Sequence, residues 1–226
     1  MNIENKPMTK SVDNLLLVNK PLFFSSSYLC SLLKKKLKGR FGRNVKVGHS
    51  GTLDPLASGL MIICTGKKTK ILASVQGLDK EYVATIKVGA TTPCYDGELA
   101  ENRFYSTAHL THSFIEKTIN SFDGQRLQRP PIYSAIRKSG ERLYNIARSG
   151  KSAQINPREI KIYSIKVTNI NLPFISFVVS CSKGTYIRSL ASDIGFALNS
   201  GAWLYKLTRT KIGNYNINKS FSFDRV

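Results

Sequence analysis

The chain has 226 residues, of which 42% are hydrophobic and 21% are charged, a balance typical of a globular protein with one large hydrophobic core. Its 34 Lys and Arg residues outnumber its 14 Asp and Glu residues, so the formal net charge is +20. This excess argues against a protein that meets only neutral metabolites and favours a polyanionic partner, although a generally basic surface would give the same composition.

The first 13 residues are polar and lack the apolar core of a signal peptide. We expect a flexible tail over residues 1–13 followed by a single domain over residues 14–226. No apolar run approaches the length of a membrane span, and no cysteine or histidine spacing matches a zinc site. The sequence therefore predicts a cytoplasmic protein that binds neither a membrane nor a metal ion.

An amphipathic helix is predicted after the serines at 25–27. Leucines at 29, 32, 33 and 37 form one apolar stripe behind hydroxyl residues that can cap a helix. The polar side and the segment after it are basic, through Lys34, Lys35, Lys36, Lys38, Arg40, Arg43 and Lys46. Such a run is either a solvated face or a set of phosphate contacts, and both interpretations stay open here.

The next segment, residues 48–59, reads Gly-His-Ser-Gly-Thr-Leu-Asp-Pro-Leu-Ala-Ser-Gly. We call it the motif loop. Pro55 disfavours helical backbone at Asp54, and the three glycines permit left-handed conformations or close approach of another chain segment. The pattern therefore predicts a loop that presents one carboxylate, either for chemistry or merely as a turn cap.

Further elements follow in irregular order. Alternation over Tyr82–Val88 predicts a strand, as do the apolar patterns over 160–167 and 174–181. Helical spacing marks segments around residues 114–122, 143–147 and 187–198. Because strands and helices do not alternate regularly, the sequence predicts an α+β fold rather than a doubly wound sheet.

The motif loop closely resembles the active-site motif of the TruB family of tRNA pseudouridine synthases. The resemblance extends over nearly the whole chain, through the segments at 15–21, 80–82, 131–135 and 183–188. It implies the pseudouridine synthase fold, a mainly antiparallel mixed sheet flanked by helices with a central active-site cleft. It also implies a tRNA substrate modified in the T-arm at position 55, without a cofactor, a guide RNA or an obligatory protein partner, by a protein that we expect to be monomeric.

The chemistry needs an anion in a dry pocket, and an aspartate is ionised at neutral pH. Asp54 is therefore the candidate nucleophile. The resemblance implies that Arg188 pairs with this carboxylate and that Tyr82 stacks on the target base and takes part in proton transfer. The alternatives are that Arg188 is a surface arginine at a helix start and that Tyr82 is a core aromatic residue.

The target uridine must be flipped out of the RNA loop before a side chain can reach it. The resemblance implies that His49 lies near the flipped nucleotides, that Tyr186 and Leu207 line the base pocket, and that Lys20 lies near the active site. For each of these residues an ordinary role in a turn, in the core or at the surface is the alternative.

The chain departs from the family pattern in two places. Too little sequence follows Gly213 for the small C-terminal PUA domain that bacterial members commonly carry, so a short form of the family is expected. The segment over residues 89–97 is also shorter than usual, which leaves the role of Asp96 open.

Two other functions compete with a stand-alone enzyme. A guide-RNA-dependent, dyskerin-like synthase shares the first eight residues of the motif loop, but the Leu-Ala-Ser-Gly continuation and the expected lack of a PUA domain disfavour it. A non-catalytic basic RNA-binding protein would explain the charge. It would not explain a carboxylate, a tyrosine and an arginine occurring together in the family pattern.

Overall fold

The computed structural model describes residues 11–134, 136–138, 140–150 and 154–223. The chain divides into two compact units, which are described separately. Among the described residues, the first unit comprises those in 11–83 and 207–223, and the second comprises those in 84–206. The single domain predicted over residues 14–226 stays a prediction. Most of the flexible tail predicted over residues 1–13 lies outside the described residues.

The described α-helices are α1 (Ser26–Phe41), α2 (Leu72–Gly77), α3 (His112–Asn120), α4 (Leu143–Arg148) and α5 (Ile187–Ala197). The described strands are β1 (Leu15–Lys20), β2 (Val47–His49), β3 (Ala57–Thr65), β4 (Lys80–Val88), β5 (Ala90–Thr91), β6 (Arg103–Phe104), β7 (Gly124–Gln128), β8 (Arg137–Lys138), β9 (Glu141–Arg142), β10 (Arg158–Asn171), β11 (Phe174–Cys181), β12 (Ala202–Ile212), β13 (Tyr215–Asn216) and β14 (Phe221–Ser222). Short 3₁₀ helices cover Gly66–Ile71 and Ile217–Lys219. None of the described helices is long and apolar enough to cross a bilayer.

The first unit contains a mixed sheet with the strand order β14–β1–β3–β12–β4. β1 runs antiparallel to β3, whereas β14 runs parallel to β1 and β12 runs parallel to β3. The short strand β2 also pairs antiparallel with β3. This arrangement places β3, which leads directly out of the motif loop, between β1 and β12.

Both faces of β3 are buried, which explains why its sequence is a continuous apolar run rather than an alternating one. Met61 and Ile63 pack on one face with the leucine stripe of α1. Leu60, Ile62 and Cys64 pack on the other face with Val75 of α2. The strand is thus fixed from both sides, and so is the end of the motif loop.

Helix α1 forms where the leucine spacing predicts it. Ser25 caps its first turn by accepting a hydrogen bond from the Tyr28 backbone N–H, and Gly42 ends it in a left-handed conformation with φ 64°. The leucines at 29, 33 and 37 are buried, and the lysines at 34, 35, 36 and 38 are exposed. The amphipathic interpretation is confirmed.

The second unit contains residues 84–88 of β4 in the strand order β4–β11–β10–β7, in which β10 is antiparallel to both of its neighbours. β11 covers the residues that the pattern predicts, and β4 extends the prediction by two residues at its start. Tyr82, Ala84, Ile86 and Val88 are all buried, as their alternation requires. Helix α5 begins at Ile187, one residue before Arg188.

Candidate active site

The motif loop begins in β2, turns back on itself around Asp54 and ends in β3. Gly51 has φ 135° and Gly59 has φ 108°, values that side chains with a Cβ rarely adopt. A Cβ at Gly59 would also collide with the backbone of Arg209 on the neighbouring strand β12. The backbone N–H of Ala57 closes the turn on the Asp54 carbonyl at 3.0 Å. The glycine spacing therefore serves both the turn and the close approach of β12.

Asp54 is held by an anchor on each side. Before it, the buried hydroxyl of Ser26 accepts a hydrogen bond from the Leu53 N–H at 2.9 Å and donates to the Leu53 carbonyl at 2.9 Å. After it, the Pro55 carbonyl accepts a hydrogen bond from the Phe23 N–H at 2.7 Å. The start of α1 and the turn before it thus position Asp54, whose side chain is half-buried.

Two buried cations lie beneath this loop. The register pairs Lys20 of β1 with Gly59 of β3, and pairs Gly59 in turn with Arg209 of β12. Lys20 is 0% exposed and Arg209 is 1% exposed. The Arg209 guanidinium donates from Nε to the Leu60 carbonyl at 2.7 Å and from a terminal nitrogen to the Gly51 carbonyl at 3.2 Å. Arg209 therefore braces the loop through backbone atoms.

The Lys20 ammonium donates to the carbonyls of Pro21, at 2.9 Å, and Phe24, at 2.7 Å. Burial lowers its pKa to about 8; the Asp54 carboxylate acts in the opposite direction, and the Arg209 guanidinium lowers the pKa further. Lys20 is thus electrostatically coupled to Asp54. The alternative of an ordinary surface lysine is wrong.

His49 ends β2, and its ring is partly buried. Its Nδ1 accepts a hydrogen bond from the Gly51 N–H at 3.3 Å. Burial lowers the pKa of His49 below its ordinary value of 6.5, and this lowering outweighs the opposing effect of the Gly51 contact. The imidazole is therefore neutral at neutral pH and helps to shape the loop.

Leu207 and Tyr82 complete the predicted residues of the first unit. Leu207 is half-buried and lies in register with Ala57, the first residue after the motif-loop turn. Tyr82 is 8% exposed on β4, which makes it a buried aromatic residue. Burial is compatible with base stacking and also with an ordinary place in the core, so base stacking by Tyr82 stays a prediction.

Arg188 and Tyr186 lie in the second unit, at the start of α5. Arg188 is only 5% exposed, so the alternative of a surface arginine is wrong. Its Nε lies 3.6 Å from an Asp96 carboxylate oxygen, and a terminal nitrogen donates to the Cys94 carbonyl at 3.4 Å. Asp96, whose role the sequence leaves open, is 4% exposed. The short distance makes it an ion-pair partner of Arg188.

Tyr186 is clamped by a side chain of β7. Its backbone N–H donates to the Gln128 side-chain oxygen at 2.8 Å, and the Gln128 amide nitrogen donates to the Tyr186 carbonyl at 3.0 Å. Gln128 is 3% exposed, so this pair of hydrogen bonds is shielded from water. The beginning of α5 is therefore fixed.

The structure brings Lys20, His49, Asp54 and Leu207 together around the motif loop of the first unit, and Tyr186 and Arg188 together in the second unit. Asp54 and Arg188 belong to different units, and the pairing that the resemblance implies stays a prediction. Sequence reasoning missed Arg209 and Ser26 as supports of the loop. The glycine at position 59 was the one sequence signal that another strand passes close to the loop.

Comparison with known proteins identifies related sequences along most of the chain. The family described as "TruB family pseudouridylate synthase (N terminal domain)" matches residues 34–187. A tRNA pseudouridine synthase B of Flavobacterium johnsoniae is 49% identical over 208 residues, which cover 91% of each chain. The enzyme of the same name from Bacteroides fragilis is 45% identical over 213 residues, covering 91% of this chain and 88% of the relative.

Solved structures share the fold. A chain of a Cbf5-Nop10-Gar1 complex superposes with a TM-score of 0.68 at 28% identity, covering 91% of this chain and 50% of that one. A chain of an H/ACA RNP bound to a substrate RNA containing 2′-deoxyuridine gives 0.68 at 25% identity, with coverages of 94% and 51%. This chain spans about half the length of those two. The predicted α+β pseudouridine synthase fold is confirmed.

Proposed function

Because this chain belongs to the TruB family and is a pseudouridine synthase, as the sequence predicts, we propose that its substrate is tRNA and that it converts the T-loop uridine, conventionally tRNA position 55. The structure of the motif loop supports this proposal most strongly. The loop holds one carboxylate between two hydrogen-bonded anchors, above the buried cations Lys20 and Arg209. A pure RNA-binding surface has no use for such a carboxylate, because it would repel phosphate.

The reaction breaks the N1–C1′ bond of uridine and forms a C5–C1′ bond. C5 loses its hydrogen and N1 gains a proton, so atoms and electrons balance without a cofactor or a change of redox state. The Asp54 carboxylate acts as the nucleophile toward the ribose or the base, or assists formation of a glycal. Lys20 supports the ionised form of Asp54 from below.

Arg188 orients the Asp54 carboxylate in this proposal, and Asp96 orients Arg188. A guanidinium presents a planar set of donors, so its direction matters as much as its charge. The 3.6 Å contact with Asp96 and the donation to the Cys94 carbonyl support this role, because they fix the arginine from a different side chain and from the backbone. Tyr82 stacks on the flipped uracil and takes part in the proton transfer.

Base flipping exposes the target, because neither C1′ nor C5 can be reached inside a stacked loop. His49 lies near the flipped nucleotides, and its neutral ring offers a hydrogen bond without a charge. Tyr186 and Leu207 line the pocket that receives the base. These assignments rest on the family resemblance and on the half-buried positions of both side chains.

Phosphate contacts supply most of the affinity in this proposal. A cavity of about 690 Å³ in the first unit is lined by four exposed cations, Arg43, Lys46, Lys67 and Lys70. Asp13 also lines it, with its carboxylate occupied by the backbone N–H of Lys67 at 2.7 Å. The positive side chains suit an RNA backbone and carry no base specificity.

The release of tritium from C5-labelled uridine tests this function. Purified protein and an unmodified tRNA transcript, without guide RNA and without added cofactor, are expected to release the label, because C5 exchanges hydrogen for C1′. A requirement for a guide RNA would assign the chain to the dyskerin-like type instead. If the protein binds the tRNA but releases no tritium, with or without a guide RNA, it would be a non-catalytic basic RNA-binding protein instead.

A further inference from the structure

We infer that Phe23 is a base-stacking residue that contacts a nucleotide flanking the target uridine in the bound RNA. This inference rests on the proposed function for the identity of the RNA. Phe23 has an unusual backbone conformation next to the motif loop, which neither the fold nor the proposed chemistry explains.

Phe23 adopts φ 68°, in the left-handed region. A bulky aromatic residue rarely occupies this region, because its Cβ crowds the backbone, and such strain concentrates at functional sites. Its ring gains no burial in exchange, since Phe23 is 76% exposed. A strained residue with an exposed apolar ring contributes little to stability, so its side chain is available for a ligand.

The surroundings hold Phe23 rigidly beside Asp54. Its own N–H donates to the Pro55 carbonyl, and the Lys20 ammonium donates to the carbonyls of Pro21 and Phe24 on its two sides. The turn and the motif loop are therefore fixed to one another. A ring at this place lies within reach of the RNA that delivers a uridine to Asp54.

The exposed ring has an apolar neighbourhood of its own. Leu22 is 47% exposed and Tyr28 is 52% exposed, and the Tyr28 ring packs at 5.4 Å on that of Phe24. Helix α1 carries its lysine run directly after this patch. Aromatic rings next to cations are the combination by which proteins hold unpaired bases, with the ring stacking on the base and the cations meeting the phosphates.

Charge complementarity favours RNA over a second protein as the occupant. The chain carries a formal charge of +20, so two copies repel each other, whereas a nucleotide is drawn to the same surface. When the target base leaves the stack, its neighbours lose a stacking partner, and the Phe23 ring replaces it. The residue thereby favours the flipped state.

The Phe23→Gly variant separates this role from a structural one. Glycine adopts φ 68° without strain, so the variant is expected to be at least as stable as the wild type. Loss of the ring is expected to weaken RNA binding on the order of ten-fold, measured on the Asp54→Asn background to prevent turnover. Phe23→Trp keeps a stacking surface and retains the affinity. Phe196→Ala, which removes a ring that is 84% exposed elsewhere, is the matched control and leaves binding unchanged.

A fluorescent base identifies the contact. With 2-aminopurine at each nucleotide adjacent to the target uridine, one flanking position is expected to lose fluorescence on binding Asp54→Asn and to keep it on binding Asp54→Asn/Phe23→Gly. Equal fluorescence with both proteins would overturn the inference. So would unchanged affinity of Phe23→Gly, equally weak binding by Phe23→Trp, or a dimer of the wild type that Phe23→Gly abolishes without affecting RNA.

The outcome is distinguishable from failure of the proposed function. A wild-type protein that forms pseudouridine while Phe23→Gly binds RNA normally refutes only the stacking role. A wild-type protein that forms no pseudouridine while Phe23→Gly loses affinity refutes only the enzymatic proposal.

Discussion

Lys20 is a fully buried cation whose titration reports on the environment of Asp54. Its pKa is about 8 in the folded protein, below the ordinary lysine value of 10.5, because burial disfavours the charged form. Between these pH values the unfolded chain binds more protons than the folded one, so the stability contributed by this residue rises with pH across the window.

The difference in unfolding free energy between the wild type and Lys20→Met, measured by denaturant titration, is therefore expected to change by ~3 kcal/mol in favour of the wild type from pH 8 to pH 10.5. Because both proteins contain all the other lysines, the difference between them removes the contribution of those lysines to the pH dependence. A difference that stays constant over this window would contradict the burial of a charged Lys20.

Arg188 is expected to act through the direction of its guanidinium. Arg188→Lys keeps the charge but loses the planar fork, so the single-turnover rate should fall about 100-fold while tRNA affinity stays within a few-fold. Asp96→Asn should lower the rate as well, because it removes the charge that orients Arg188 across 3.6 Å. Wild-type rates in Arg188→Lys, measured at saturating enzyme, would count against a positioning role.

Among single residues, the sequence predicted those that belong to the family motif and missed those that support the motif loop from outside it. Asp54 was proposed as the nucleophile because twelve consecutive positions match a family pattern. Arg209 lies in a polar, basic segment, where an arginine is ordinarily exposed, and only the pairing of β3 with β12 buries it. Ser26 lies in a run of serines that reads as helix capping, and the sequence does not show which serine faces another loop.

The start of α1 performs two tasks with adjacent serines. Ser25 caps the helix, whereas the Ser26 hydroxyl bonds both backbone groups of Leu53. Ser26→Ala leaves these buried groups unpaired and is expected to cost about 2 kcal/mol or more, together with a fall in catalytic rate as Asp54 shifts. Ser25→Ala, the matched control, should cost about 1 kcal/mol and leave the rate unchanged. Equal effects of both changes on the rate would contradict the anchoring role.

Helices and strands whose apolar residues recur with a regular helical or alternating spacing were predicted from the sequence. Elements without such a spacing were not. α1, β4 and β11 each follow a helical or alternating pattern and form where that pattern lies. β12 was not predicted, because Ala202, Trp203 and Leu204 are buried in succession and a basic stretch follows. Its place between β3 and β4 is decided by partners distant in sequence, which local periodicity does not record.

For the molecule as a whole, electrostatics predicts a binding reaction dominated by phosphate. The affinity for tRNA should fall steeply with salt, because each neutralised phosphate releases counterions. Lys67→Gln/Lys70→Gln removes two of the cavity's cations and is expected to reduce the slope of log K against log salt by about 1 to 2 units, with an unchanged rate at saturating enzyme. Lys117→Gln on α3, an exposed lysine in the second unit, is the control. An unaltered slope in the double variant would place the RNA elsewhere.

Pseudouridine mapping at single-nucleotide resolution tests the central claim most directly. An unmodified tRNA transcript is incubated with the wild type or with Asp54→Asn, and the affinity of each protein for the same RNA is measured in parallel. We predict pseudouridine at position 55 with the wild type, and none with Asp54→Asn, whose rate should fall on the order of 10⁴-fold or more although it still binds tRNA. Product formed by Asp54→Asn at a near-normal rate, or a wild-type reaction that leaves position 55 unmodified, would contradict the account.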